Sequence, residues 1–131
     1  MAGTVVLTTH SKLGSVRALL ITCTGDGADG SFPTLDLPSI EGRLLALETN
    51  PGATAPTASY DITLIDDEGH DVLEGVGANR HTSNTEKAAI VYSSTSLHPA
   101  VDEWQTLALT LANNSVNDAI VVVTIFYTPG V

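Results

Sequence analysis

The chain reads as an all-β protein, a single-domain β-sandwich of jelly-roll or Greek-key type with about eight strands. Three observations predict this. Its apolar residues fall in short β-branched runs with a period near two, as at Tyr60-Asp61-Ile62-Thr63-Leu64-Ile65. Clusters of Gly, Asp, Asn and Pro separate those runs at the spacing of turns. No long stretch carries the stripe of an amphipathic helix. A chain of 131 residues and 13.6 kDa is one domain's worth, which we assign as 1–131. Leu, Ile, Val and Phe make up more than a quarter of it, enough for a core without staples.

The strands are expected in this order. Thr4–Thr9 and Val16–Thr24 are β-branched runs without helical spacing. Gly25-Asp26-Gly27-Ala28-Asp29-Gly30 must be loop. Ile40–Thr49 reads as a long strand ended by the turn residues Asn50-Pro51-Gly52. Tyr60–Ile65 alternates, with Tyr60, Ile62 and Leu64 on one face. Asp66-Asp67-Glu68-Gly69 then turns the chain into a short run at Asp71–Leu73, and the two arms read as a hairpin with Gly69 left-handed. Gly75, Gly77, Asn79 and Asn84 mark irregular chain before a strand at Lys87–Tyr92. Helix is admissible only briefly, at Thr85–Ala89 or His98–Glu103. Trp104–Leu111 alternates again, with Gln105, Leu107, Leu109 and Leu111 on one side. Asn113-Asn114-Ser115 turns, and Ile120–Tyr127 is an almost unbroken apolar run. Such a run suits a strand buried on both faces or closing an assembly, with a central core position preferred.

The charge balance excludes partners. Fifteen acids against five bases give −10 at pH 7 and a pI near 4.4. Nucleic-acid binding needs a cationic footprint that five scattered bases do not make, so no nucleic acid is expected. Anionic membrane surfaces are disfavoured for the same reason. No apolar run approaches the length of a membrane span, and the first residues lack a basic region followed by a hydrophobic one, so no secretory leader is expected. Charged residues are 15% of the chain, against about 25% in ordinary domains. A Thr-rich, weakly charged surface suits a protein packed against neighbours.

Candidate chemistry is sparse. Cys23 is alone, which rules out an intrachain disulfide, and it sits in an apolar strand pattern where a thiol behaves as a small hydrophobe. His10, His70, His81 and His98 stand in no ligand spacing and read as surface or loop residues. Two acid-rich turns are the weak candidates for calcium: Asp26 and Asp29 in one, Asp66 and Asp67, with Glu68 and Asp71 nearby, in the other. Turn formation by Asp and Gly explains both equally well, so no metal and no cofactor is expected. There is no Gly-x-Ser-x-Gly elbow, and Gly75-Val76-Gly77-Ala78 lacks the strand-to-helix crossover of a phosphate loop. Asn113-Asn114-Ser115 matches a glycosylation sequon that a chain without a leader would not present to the enzyme. With aromatics at 5%, a sugar-stacking platform is thin, and Trp104, Tyr60, Tyr92 and Tyr127 read as core or rim residues. No catalytic residue is assigned, and no enzyme is expected.

One run has a wider likeness. Thr49-Asn50-Pro51-Gly52, Ala55-Pro56-Thr57, Tyr60-Asp61-Ile62-Thr63-Leu64, Asp67-Glu68-Gly69, Asp71-Val72-Leu73 and Gly77-Ala78-Asn79-Arg80, with Thr82 and Glu86, resembles small virion structural proteins of tailed bacteriophages. The likeness is strongest from Ile40 to Glu86 and continues loosely through the two final strands. His70 and His81 depart from it, standing where other polar residues are usual. The resemblance implies a non-enzymatic virion component, assembled in the host cytoplasm and carried in the particle. It implies first a capsid decoration or cement protein bound to the major capsid protein lattice. A head–tail neck or tail protein forming a ring is the nearest alternative, and a carbohydrate-binding β-sandwich is a further one. Partners would be the major capsid protein or neighbouring virion proteins, together with further copies of this chain as a homo-oligomer. Loops 25–38, 50–58 and 74–86 are the expected contact segments, because strand connections carry recognition on β-scaffolds.

Overall fold

A computed structural model describes residues 1–38, 40–92, 95–102 and 105–129. Among these, nine strands form two antiparallel sheets and no helix occurs. The strands are β1 (Thr4–Leu13), β2 (Val16–Thr24), β3 (Leu35–Asp36), β4 (Gly42–Pro51), β5 (Asp61–Ile65), β6 (Glu86–Ala89), β7 (Ala100–Val101), β8 (Ala108–Ala112) and β9 (Ile120–Pro129). The large sheet runs β1-β2-β9-β4-β6, with β7 also on β4; the small sheet runs β3-β8-β5. From β2 to β6 the chain crosses between sheets at each strand, and it crosses again into and out of β8. The large-sheet order β2-β9-β4-β6 over β3-β8-β5 is the wrapping of a jelly roll, with β1 added at the β2 edge.

The fourth position of the small sheet is filled by irregular chain. Beside β5, Val72 N–H donates to Leu64 O, Ile62 N–H to Gly77 O, and Arg80 N–H to Tyr60 O, each at 2.8 Å. The expected hairpin therefore closes, with Ile65 bridging Asp71, but its second arm is not a strand. Asp71 is the reason. Its carboxylate accepts from the N–H groups of Leu64, Leu73 and Gly75, which folds the chain onto itself. Glu74 and Gly75 follow at φ +54° and +81°, and two left-handed residues cannot continue a pleat.

Other boundaries move for equally local reasons. β1 runs on to Leu13 because a two-residue turn at Gly14-Ser15, with Gly14 at φ +62°, pairs Leu13 with Val16 and zips the strands fully. β4 passes through Asn50 and Pro51, which pair with Val122 and Val121. β6 ends opposite Thr49, so the missing Pro51 N–H costs no ladder bond. Thr85–Ala89 forms no helix, because Glu86–Ala89 pairs with β4 as β6; the strand expected to Tyr92 stops at Ala89. His98–Asp102 is not helical either, while Glu103 and Trp104 lie outside the described residues.

The core lies between the sheets. Leu19, Ile21, Leu47, Val121, Val123 and Ile125 of the large sheet face Ile62, Leu64, Leu109 and Leu111 of the small one. The phasing read from 105–111 holds: Leu107, Leu109 and Leu111 are buried. β9 is the central strand, but it is not buried on both faces. Val121, Val123, Ile125 and Tyr127 point into the core, while Ile120, Val122 and Phe126 are half-exposed on the outer face. Among the described residues no helix is long and apolar enough to cross a membrane.

Candidate functional site

Strand direction gathers the connections at two ends of the sandwich. At one end sit the N-terminus and the segments 25–34, 52–59, 80–85 and 113–119, which contain most of the three loops expected to make contacts. Side chains, rather than strand pairing, bind them into one surface. Asn114 reaches both ways, its Nδ2 donating to Gly30 O (2.7 Å) and its Oδ1 accepting from Thr57 N–H (2.8 Å). Thr57 Oγ1 in turn accepts from Ser115 N–H at 2.9 Å. The Thr82 hydroxyl donates to Pro56 O, and the Thr85 hydroxyl donates to Asn50 Oδ1. Backbone bonds add to these: Gly52 N–H to Ile120 O, Ile120 N–H to Thr54 O, and Asp118 N–H to Asp26 O.

A buried arginine anchors this surface to the sheets. Arg80 ends the irregular segment beside β5, and its guanidinium passes under the loops to β4. Nε and Nη2 donate to Thr49 Oγ1 at 3.2 Å each, and Nη1 donates to Val76 O at 2.9 Å. Glu86 of β6 stands 3.5 Å away and accepts from His81 N–H. Arg80 and Thr49 are buried, and so is Tyr60 beside them, whose hydroxyl lies near Thr49 but makes no well-formed hydrogen bond among the described residues. Burial raises the Tyr60 proton affinity, with nearby Thr49 and Arg80 opposing. Thr49, Tyr60, Arg80 and Glu86 all stand in the run that carries the likeness, but no local pattern in the sequence says that they meet.

The calcium candidates fall at opposite ends of the sandwich and close turns. Asp26 Oδ1 accepts from the N–H groups of Ala28 and Asp29. Asp29 accepts from the N–H and hydroxyl of Ser31, and these bonds hold its carboxyl below the usual range. At the other end, Asp66 Oδ1 accepts from the N–H groups of Glu68 and His70, while Asp67 is exposed. Among the described residues no three His, Cys, Asp or Glu side chains converge as a metal site would require.

The histidines are scattered. His10 Nε2 and the Tyr127 hydroxyl are hydrogen-bonded at 2.7 Å, and His70 contacts Glu74 at 2.5 Å. His81 Nδ1 accepts from the N–H groups of Ser83 and Asn84. His98 alone is half-buried, its Nδ1–H donating to Ile90 O. Cys23 is wholly buried, which pushes its thiol up to about 12 and removes it as a nucleophile at neutral pH. Tyr60 and Tyr127 are buried, and Tyr92 is exposed; Trp104 lies outside the described residues. The loop end offers a polar surface of Thr, Ser and Asn side chains tied together by hydrogen bonds.

No protein-family model matches the chain, and no curated protein or solved structure matches it either.

Proposed function

We propose that this chain is a non-enzymatic virion structural protein of a tailed bacteriophage, a decoration protein that binds the major capsid protein lattice and stabilises the head. One observation carries the reading. Several of the residues that carry the likeness to phage virion proteins, Asn50, Pro56, Thr57, Arg80, Thr82 and Glu86, take part in the bonds that hold the loop end together. Asn50 accepts from Thr85 and Pro56 from Thr82, while Thr57 donates its N–H to Asn114 and accepts from Ser115. Arg80 pins the segment to Thr49, and Glu86 holds the His81 backbone. In this reading the bonded loop end is the docking surface, carried on a jelly-roll scaffold.

A surface of this kind loses little freedom on binding, and repetition over a lattice adds avidity to a modest single contact. The acidic net charge limits adhesion to packaged genome. The test is the copy number of the chain in purified phage particles, by quantitative mass spectrometry against the major capsid protein and the portal. A ratio near that of the capsid protein is expected. A ratio near the portal's would replace decoration by a neck or tail ring, and absence from the particle would overturn the virion reading altogether.

A further inference from the structure

The first 25 residues contain Lys12 and Arg17 and not one acid, although the chain has fifteen. They fold as the β1–β2 hairpin, so the asymmetry in sequence becomes an asymmetry in space. Among the described residues β1 is an edge strand of the large sheet, ten residues long and paired to β2 alone. Lys12 and Arg17 lie directly opposite each other in register near the hairpin tip. Lys12 is exposed, and Arg17 is steadied by a 2.8 Å bond from its guanidinium to Gly14 O.

The other lateral edge of the sandwich has the opposite sign. β5 and the irregular chain beside it lie on the side of β4 and β6, as the Arg80 bonds to Thr49 and Glu86 show. That edge holds Asp66, Asp67, Glu68, Asp71 and Glu74 within nine residues, with Asp67 and Glu68 exposed. His70 is also there, next to Glu74. The left-handed residues Glu74, Gly75 and Asn79 keep this edge from presenting a regular strand, so it cannot accept a neighbour by sheet extension. What it offers is charge.

We propose that a second copy of this chain docks its acidic β5-side edge against the cationic β1–β2 edge of the first. Two like edges cannot meet this way, because both partners would bring the same sign. The contact is therefore heterologous and head-to-tail, with donor and acceptor surfaces on opposite sides of each copy, so copies associate side by side into a ring or an open row. Over a screening length of about 8 Å at physiological salt, the local match acts while the overall repulsion of two acidic chains is largely screened. The inference goes beyond the virion reading and is tested on the isolated protein, so either can fail alone.

The test is sedimentation velocity on the purified chain with two charge-reversed variants, Lys12→Glu/Arg17→Glu and Asp67→Lys/Glu68→Lys. Folding of each is verified by circular dichroism, and Lys12→Gln/Arg17→Gln replaces the first should it not fold. The wild type is expected to associate, about tenfold more weakly once high salt screens the pairs. Each variant alone is expected to be monomeric, since the first then brings two acidic edges and the second leaves its acidic edge nearly neutral. Mixed in equal amounts, the two variants restore assembly, because each supplies the edge the other lacks. A monomeric wild type would overturn the proposal. So would association that survives either reversal, as pairing of two β1 edges or contact through the outer sheet face would, or a mixture that stays monomeric.

Discussion

Replacing Arg80 by alanine tests whether the loop surface is held from beneath. The guanidinium donates to two acceptors, the Thr49 hydroxyl and the Val76 carbonyl, and Thr49 is wholly buried. Truncation leaves both without their donor. Each such orphan costs about 1–3 kcal/mol, so the pair costs about 2–6 kcal/mol. Glu86 adds little to this, because its side chain is 38% exposed and water takes over its charge. Against a domain stability of about 5–15 kcal/mol the loss is a large fraction. Urea denaturation followed by Trp104 fluorescence and by circular dichroism is expected to show a lower midpoint with an unchanged slope. Arg80→Lys should fall between, since one ammonium is a point charge without the guanidinium's fork of donors. In the double variant Arg80→Met/Thr49→Val the loss should be smaller than the sum of the single ones, because both members of the pair are then apolar. An Arg80→Ala midpoint within about 0.5 kcal/mol of wild type would refute the reasoning and show that the loop end stands without its anchor.

Four further outcomes are expected. Tyr60→Phe should stabilise the protein by about 1 kcal/mol, since it removes a buried hydroxyl that makes no well-formed bond among the described residues; a loss of that size would show that the hydroxyl is bonded to Thr49. Leu109→Ala should cost about 2–5 kcal/mol in chemical denaturation, and an unchanged midpoint would put β8 out of phase. Gly77→Ala should abolish cooperative folding, because a Cβ there would sit 2.1 Å from Ile62 O, whose own N–H donates to Gly77 O; Gly69→Ala, in open space at φ +85°, should cost only about 1–2 kcal/mol. His70 has its pKa raised, first by its hydrogen bond to Glu74, so the stability this contact adds is complete below the unfolded histidine pKa and is lost as pH rises through the folded one. An NMR titration should show the His70 midpoint falling in Glu74→Gln, and an unmoved midpoint would dismiss the pair.

Much of the fold was legible in the sequence because strand propensity and alternation are local. Val16–Thr24 needs only its own β-branched residues to read as β2, and the alternation of Leu107, Leu109 and Leu111 marks a buried face without knowledge of what covers it. Asp71 shows where local reading stops. Val72 and Leu73 look like a returning strand, yet three backbone N–H groups on one carboxylate turn the chain instead. Pro51 shows the converse, a residue that reads as a stop but is tolerated because the β6 pairing ends at Thr49 and, among the described residues, no strand lies on its far side.

The sequence by itself determined an all-β chain, strongly acidic, with its first 25 residues free of acids. Those properties belong to residue types and their order, and no contact can change them. Only the tertiary structure decided which connections share an end, that Arg80 crosses beneath them to Thr49, and that the acid-free hairpin and the acidic turn lie on opposite edges. The reason is the jelly-roll wrapping, which sends successive strands to different sheets. Residues far apart in the chain, such as Asn114 and Gly30, become neighbours through pairings that no window of sequence contains.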